Sequence, residues 1–353
     1  MAIPLPTVSP VAPNVRVWRT LQALFWLVGC VIFTSLIFFP PLGLTLLWNI
    51  LIPVAPVLMV VAVGLWRNVC PLASVVLFPR HMGWSKQRIM TPRTQAKLGL
   101  VGVMLLYLIV PMRHAMLNTN GPASAMLITA LIVAGFVMGT QFEWKSAWCS
   151  SLCPVHPVEK LYGSNVFGAM PNAHCDQCMN CVVPCPDSTP NMTPRRPSKN
   201  AYTRASGLLI AGGLPGFVWG WFHVPDHLGI SEIGDLVRVY QMPVAGLVVT
   251  LTLYVALLRL KFATEPWLTR ISGTAAVSCY YWYRIPSLLG FGQFAGDGRL
   301  FDAHGLIPDW APLAMTLAST AFFAYWLLIR KPNEKSWVVR PSYAGRAASE
   351  DRV

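Results

Sequence analysis

Cys175-Asp176-Gln177-Cys178-Met179-Asn180-Cys181-Val182-Val183-Pro184-Cys185-Pro186 places four cysteines within eleven residues. The spacing C-x2-C-x2-C-x3-C-P is that of the bacterial run that ligates [4Fe–4S] clusters. Three thiolates at this spacing wrap one cube in a tight loop, each meeting a different iron. Pro186 then turns the chain away, because proline fixes its own φ and offers no N–H. A structural zinc site usually separates two cysteine pairs by a longer stretch, so that four ligands close a tetrahedron. Four cysteines this close together fit a cluster better. Cys175, Cys178, Cys181 and Cys185 are therefore the candidate metal ligands.

The surroundings of this run are those of a membrane protein. The chain is 54% hydrophobic and 12% charged, with mean hydropathy +0.51. A helix needs about 20 apolar residues to cross the hydrocarbon. Eight spans are expected: Leu21–Phe39, Leu42–Trp66, Leu98–Met112, Ala123–Phe142, Ala205–Phe222, Val244–Leu260, Thr274–Phe291 and Ala311–Ile329. Leu98–Met112 is short and borrows from Lys97 and Arg113, which can snorkel. Alternating ten-residue segments are lacking, which excludes a β-barrel. The expected fold class is an all-α polytopic membrane protein with a small cytoplasmic, ferredoxin-like cluster-binding insert. It divides into a segment 1–20, a four-helix region 21–142 containing a duplicated hairpin, the insert 143–204, a second four-helix region 205–329, and a tail 330–353.

Charge orients these spans. The five segments on one side of the predicted topology hold 22 of the 27 Lys and Arg residues. Positive residues stay in the cytoplasm. Both termini and the cysteine run are then cytoplasmic, and the expected location is a bacterial inner membrane. The net charge of +13 is thus a topology signal. No nucleic-acid partner is expected, since interleaved basic and aromatic readout motifs are missing. The seventh span is the weakest, with Cys279-Tyr-Tyr-Trp-Tyr-Arg284 at its middle. Parity supports it, because without it the basic tail would fall outside. Leu27-Val-Gly-Cys30 looks like a lipoprotein cleavage box, but the apolar run continues to Phe39, so a first membrane helix is simpler.

Seven of the nine cysteines fall on the inner side, where a reducing cytoplasm favours ligands over disulfides. The first four helices look like a duplicated hairpin. One copy ends in Trp66-Arg-Asn-Val-Cys70-Pro71, the other in Cys149-Ser-Ser-Leu-Cys153-Pro154. Aligning the two Cys-Pro pairs sets Trp66 opposite Cys149. Cys149, Cys153 and Cys70 join the candidate cofactor-binding residues. Membrane hairpins ending in C-x3-C-P and followed by a ferredoxin loop resemble the NapH/NosR-type membrane iron–sulfur proteins, over roughly residues 20–190. That resemblance implies electron transfer through the membrane or at its inner face, toward a respiratory reductase outside. The chain departs from the pattern at Trp66, in having one full cysteine run rather than two, and in lacking a large outer flavin domain of the NosR kind.

These departures leave the cluster count open. The simpler arrangement is one cube on Cys175, Cys178, Cys181 and Cys185. In two-cluster ferredoxins the fourth cysteine serves the other cube, and Cys153 would then replace Cys185. Two cubes need eight ligands and seven cysteines face this side, so a second would need His156 or His174. Either histidine could otherwise tune a potential, although a solvated histidine is the commoner case. At the other side, Met112-Arg-His114-Ala-Met116 has soft ligands that suit copper(I), or is a helix end with Met filling gaps. Arg284, the one charge deep in a span, is placed to meet a quinone oxygen or a lipid phosphate, or to snorkel beside Tyr281 and Tyr283. No nucleotide or nucleophile motif is present. The expected function is electron relay between a quinol or cytoplasmic donor and a respiratory reductase or oxidase. It needs a redox partner protein, the lipid bilayer and, as a further partner, a quinone. An assembly factor for a respiratory metalloenzyme and a cluster-based redox sensor are the alternatives.

Overall fold

In lipid every backbone polar group must find a partner inside the protein, and a helix achieves this within one segment. The computed structural model describes residues 14–143, 145–167, 170–171, 194, 198–226, 233–331 and 338–339. Helices α1 (Asn14–Phe38), α2 (Pro40–Leu44) and α3 (Ile52–Val69) form the first hairpin, with a π-helical turn over Thr45–Leu51 joining α2 to α3. A short α4 (Pro71–His81) follows the Cys70-Pro71 step. The second hairpin is α5 (Pro92–Ile109) and α6 (Gly121–Gln141), and a short α7 (His156–Tyr162) follows Cys153-Pro154. Then come α8 (Ala201–Leu208) and α9 (Leu214–Trp221), α10 (Ile233–Arg259), α11 (Glu265–Leu288) and α12 (Ala311–Ala324). A two-residue parallel pairing, β1 (Met170–Pro171) with β2 (Val338–Val339), brings the insert to the tail. Local chemistry starts these helices. Thr91 and Asn120 cap the first-turn amides of Thr94 and Ala123, and proline occupies the first turn of α5 and α6.

The helices are irregular, and aromatic donors repair them. Pro56 cannot donate within α3, which loosens the ladder around it. The Tyr281 hydroxyl inserts there: it accepts from the Val57 amide at 3.1 Å and donates to the Pro53 carbonyl at 2.6 Å. Ala62 then leaves helical geometry, and the Val61 carbonyl exposed by that kink accepts from the Phe167 amide at 2.8 Å. Tyr107 and Trp221 similarly donate to the carbonyls of Leu209 and Val110. The central core joins Val60, Val103, Leu161, Ile210, Phe217 and Phe323. A column of touching rings runs through it: Tyr283, Phe222, Tyr280, Tyr281, Phe323, Phe322 and Trp326, with centroids 5.1–5.6 Å apart at each step. Helices α9 and α10 cross where Gly216 meets Gly246; a Cβ on Gly216 would lie 1.9 Å from the Gly246 carbonyl oxygen, so only glycine permits this approach.

Helical rods stand at all eight positions where spans are expected. Among the described residues, five stretches are long and apolar enough to cross a membrane: Arg16–Phe38, Pro40–His81, Gly121–Gln141, Gly234–Arg259 and Ala311–Ile329. The expected eight spans are thus not matched by eight such stretches, and for physical reasons. The rod at α5 opens on Pro-Arg-Thr-Gln-Ala-Lys, and α11 carries Thr269, Ser272, Thr274, Ser278 and Arg284 on a buried face. Arg284 is 2% exposed and does not snorkel, contrary to one of its expected roles. Arg113, expected at a membrane edge, is buried as well. The part of the expected ferredoxin-like insert that carries Cys175, Cys178, Cys181, Cys185 and His174 lies outside the described residues.

The Tyr281 bridge yields a first expectation. Tyr281→Phe keeps the ring but strands two backbone groups in the core, which should cost about 1–3 kcal/mol. Thermal unfolding of the detergent-solubilised chain should show a lower midpoint; an unchanged midpoint would mean the ladder closes without the hydroxyl.

Candidate functional site

Two polar centres stand at opposite ends of the bundle. The first surrounds the cysteines. Cys70 ends α3 and begins α4, with φ −58° and ψ 115° breaking the helix between them. Cys149 lies in a π-helical turn over Lys145–Leu152, a wide turn of the sort often found at functional sites. The second hairpin carries this turn onto the first. Gly139 of α6 lets the Val76 carbonyl of α4 approach to where a Cβ would lie 2.2 Å away. As a result Cys70, Cys149 and Cys153 share one apolar cluster with Ala73, Val76 and Trp148. Burial, with the charges of Glu159 and Cys70, pushes the Cys153 thiol up to about 12. A thiol so placed stays protonated unless a metal takes the proton's place.

Beside this cluster lies an ion-pair network that charge counting along the chain does not reveal. Glu159 of α7 is buried and pairs with the buried Arg67 of α3. Trp66 Nε1 donates to Glu159 Oε1 at 3.0 Å. His156 Nδ1 lies 2.9 Å from Glu159 Oε2. Burial alone would raise Glu159, but Arg67 and His156 overcome it and hold the carboxyl at about 2. Burial, then Lys160, push the His156 imidazole down to about 4. His156 is therefore a buried neutral side chain, not a solvated one. The departure at Trp66 also gains a role: the indole standing opposite Cys149 in the repeat holds the carboxylate that ties α7 to α3.

The second centre is built by another π-helical turn, Arg113–Leu117. Asp226 accepts from Arg113 Nη2 at 2.8 Å and from Asn118 Nδ2 at 2.9 Å, and its other oxygen meets His114 Nδ1 at 2.7 Å. Its own amide donates to Asp297 at 2.6 Å. Arg113 lies over the rings of Trp48 and Trp221, 5.7 and 5.0 Å from their centroids. Arg284 donates to the Trp48 carbonyl at 2.6 Å and to Asn49 Oδ1 at 2.8 Å. Burial pushes the His114 imidazole below its ordinary 6.5 despite Asp226. Burial opposes ionisation of Asp226, yet His114 and Arg113 hold its carboxyl below the ordinary 3.8. His114 is thus engaged at Nδ1 by a carboxylate, while Met112 is partly buried and Met116 exposed.

Among the described residues no group of three or more His, Cys, Asp or Glu side chains is arranged to hold a metal ion. The described donors are nonetheless soft and gathered: three thiols in one apolar cluster suit iron–sulfur ligation in kind, and the four-cysteine run lies outside the described residues. Sequence reasoning had flagged Arg284, His114 and His156, and missed Glu159, Arg67 and Asp226. Glu159 stands three residues after His156 on one helix face, a spacing that offers a weak signal. Asp226 offers none, because its partners lie more than a hundred residues away.

These features define the class: an all-α protein whose apolar helices have membrane-spanning character. Comparison with protein-family models, with curated proteins and with solved structures finds no match.

Two outcomes are expected from these networks. Glu159→Gln removes the carboxylate of a buried ion pair and should cost about 3–5 kcal/mol, read as a lower unfolding midpoint. At the second centre, the folded chain resists protonating His114 where the unfolded chain does not. Stability there is complete above pH 6.5 and lost as pH falls below it, and Asp226 adds to the loss below about 3.8. Amide protection factors across 113–118, with the intrinsic exchange rate divided out, should fall on acidification from pH 7 to 5, and His114→Gln should flatten that dependence.

Proposed function

We propose that this chain is a membrane-bound iron–sulfur electron-transfer protein. It relays electrons between a quinol or cytoplasmic donor and a respiratory reductase or oxidase. The observation that carries this reading is the Cys175–Cys185 run, preceded by two hairpins whose Cys-Pro ends converge. In this proposal all eight rods cross a bacterial inner membrane, with both termini and the cysteine run in the cytoplasm. The count of 22 basic residues on one side of that topology supports it. Cys175, Cys178 and Cys181 hold one [4Fe–4S] cluster together with Cys185 or Cys153. Cys70 and Cys149 are left for a second site. The resemblance to NapH/NosR-type proteins supports the same function, within the departures at Trp66 and in the number of cysteine runs.

A bound [4Fe–4S] cluster supplies reversible one-electron transfer. The chain's own residues do the rest. Cys153 and Cys70 are partly buried against an apolar cluster with Ala73, Val76 and Trp148. The pairing of Glu159 with Arg67, Trp66 and His156 fixes α7 against α3, and so fixes the turn that carries Cys153. An assembly factor acting through outer soft ligands is the weaker reading, because His114 Nδ1 is committed to Asp226.

Anaerobic purification followed by iron and sulfide analysis and EPR of the reduced protein tests the proposal. About four irons per chain are expected for one cluster and about eight for two. Cys178→Ala should abolish the EPR signal. A colourless protein carrying zinc or no metal would overturn the reading.

A further inference from the structure

The pocket at the end of the bundle away from the cysteines is lined by a buried guanidinium that touches no carboxylate. Arg284 is 2% exposed, and no carboxylate lies within 4 Å of it among the described residues. Its hydrogen bonds go to a carbonyl, an amide oxygen and the Tyr280 side chain, all neutral, and Asp226 acts on it only from a distance. Burying a guanidinium without a counter-charge is costly, and native proteins pair such charges or bind an ion there. The pocket's own carboxylates are otherwise engaged. Both Asp226 oxygens are occupied by Arg113, His114 and Asn118. Asp297 accepts the Asp226 amide.

Two of the residues lining the cavity, Arg113 and Arg284, each keep an Nε with no hydrogen-bond partner. Both side chains are more than nine-tenths buried. The cavity, about 370 Å³ including its open mouth, is walled by Trp221, Phe222 and Tyr283. Gly298, at φ +61°, leaves the space over the guanidinia open; a Cβ there would lie 2.2 Å from Arg284 Nη1 and 3.3 Å from Arg113 Nη2. Two planar guanidinia converging on one small cavity match the geometry of a phosphate or carboxylate group.

We propose that this cavity binds a single oxyanionic group, a phosphate or carboxylate, between Arg284 and Arg113. The group belongs either to a free small anion or to an anionic lipid headgroup in the leaflet at this end. The proposal is independent of the electron-transfer reading, and iron content separates the two.

The test uses the full chain, purified with its metal. Calorimetric titration with inorganic phosphate is run in detergent, at constant ionic strength against chloride. Unfolding midpoints are compared in nanodiscs of phosphatidylglycerol and of phosphatidylcholine. A free-anion site gives saturable phosphate binding. A headgroup site gives a higher midpoint in phosphatidylglycerol alone. Arg284→Gln should weaken either effect about tenfold or more, Arg284→Lys should retain part of it, and iron content should stay at the wild-type value in both. If the wild-type chain responds to neither phosphate nor phosphatidylglycerol, the cavity holds only water or a neutral ligand and the proposal falls. An undiminished response in a folded Arg284→Gln chain overturns it equally.

Discussion

Glu159 carries a full charge in a place that water does not reach, and the geometry around the cysteines depends on how that charge is satisfied. It is buried on a helix of seven residues, too short to hold its position by backbone bonding alone. What holds it is Arg67 and Trp66 of the preceding hairpin. A buried ion pair adds little net stability over an apolar pair of similar volume, but losing one partner is expensive. Its value here is positional. The cysteines at the two Cys-Pro steps meet only through an apolar cluster, which has no preferred register. A directional charge-assisted network between α3 and α7 supplies the register that greasy contacts lack.

The same logic explains the helix defects. Membrane burial does not forbid kinks or π-turns; it forbids leaving their backbone groups dry. Each irregularity described here has its donor. Tyr281 serves the break at Pro56, the Phe167 amide serves the kink at Ala62, and the indole of Trp48 donates to the Leu117 carbonyl at the end of the Arg113–Leu117 turn. The two turns that carry candidate chemistry, around Cys149 and around His114, are both of the wide kind. A wide turn rotates the following side chains relative to a regular helix, which swings Cys149 toward Cys70 and His114 toward Asp226.

The positions of the helices were legible because twenty apolar residues in a row have one stable form in lipid. All eight expected rods exist, with ends within about ten residues of those read from hydropathy. Less legible was which rods are apolar enough to cross unaided, because α11 hides its serines, threonines and Arg284 inward, and composition alone does not reveal a face. The cysteine run 175–185 lies outside the described residues, and of the other candidate ligands Cys70, Cys149 and Cys153 fall in one apolar cluster. Glu159 and Asp226 were not legible, since their roles arise from partners brought by tertiary packing. A carboxylate near a cysteine motif reads as a loop charge until the arginine it meets is known.

The two polar centres are separated by nearly the whole of the rod from Asn49 to Cys70, about 30 Å at 1.5 Å per residue. A unit charge arriving in the Arg284 cavity would act on the thiol end with only about 0.5 kcal/mol at an effective dielectric of ~20. That is too weak to set the protonation or redox state of the cysteines directly. Any influence between the ends must therefore be mechanical, and the structure offers two continuous members that link them. One is the Pro40–Val69 rod, which touches Arg284 through Trp48 and Asn49 at one end and Glu159 through Arg67 at the other. The second is the column of rings from Tyr283 to Trp326. Tyr281 belongs to both, since its ring stacks on Phe323 while its hydroxyl sits in the α3 ladder. Arg284 follows Tyr281 by three residues on the same helix, so the break at Pro56 is where the helix that carries Arg284 is tied into the rod that leads to Cys70.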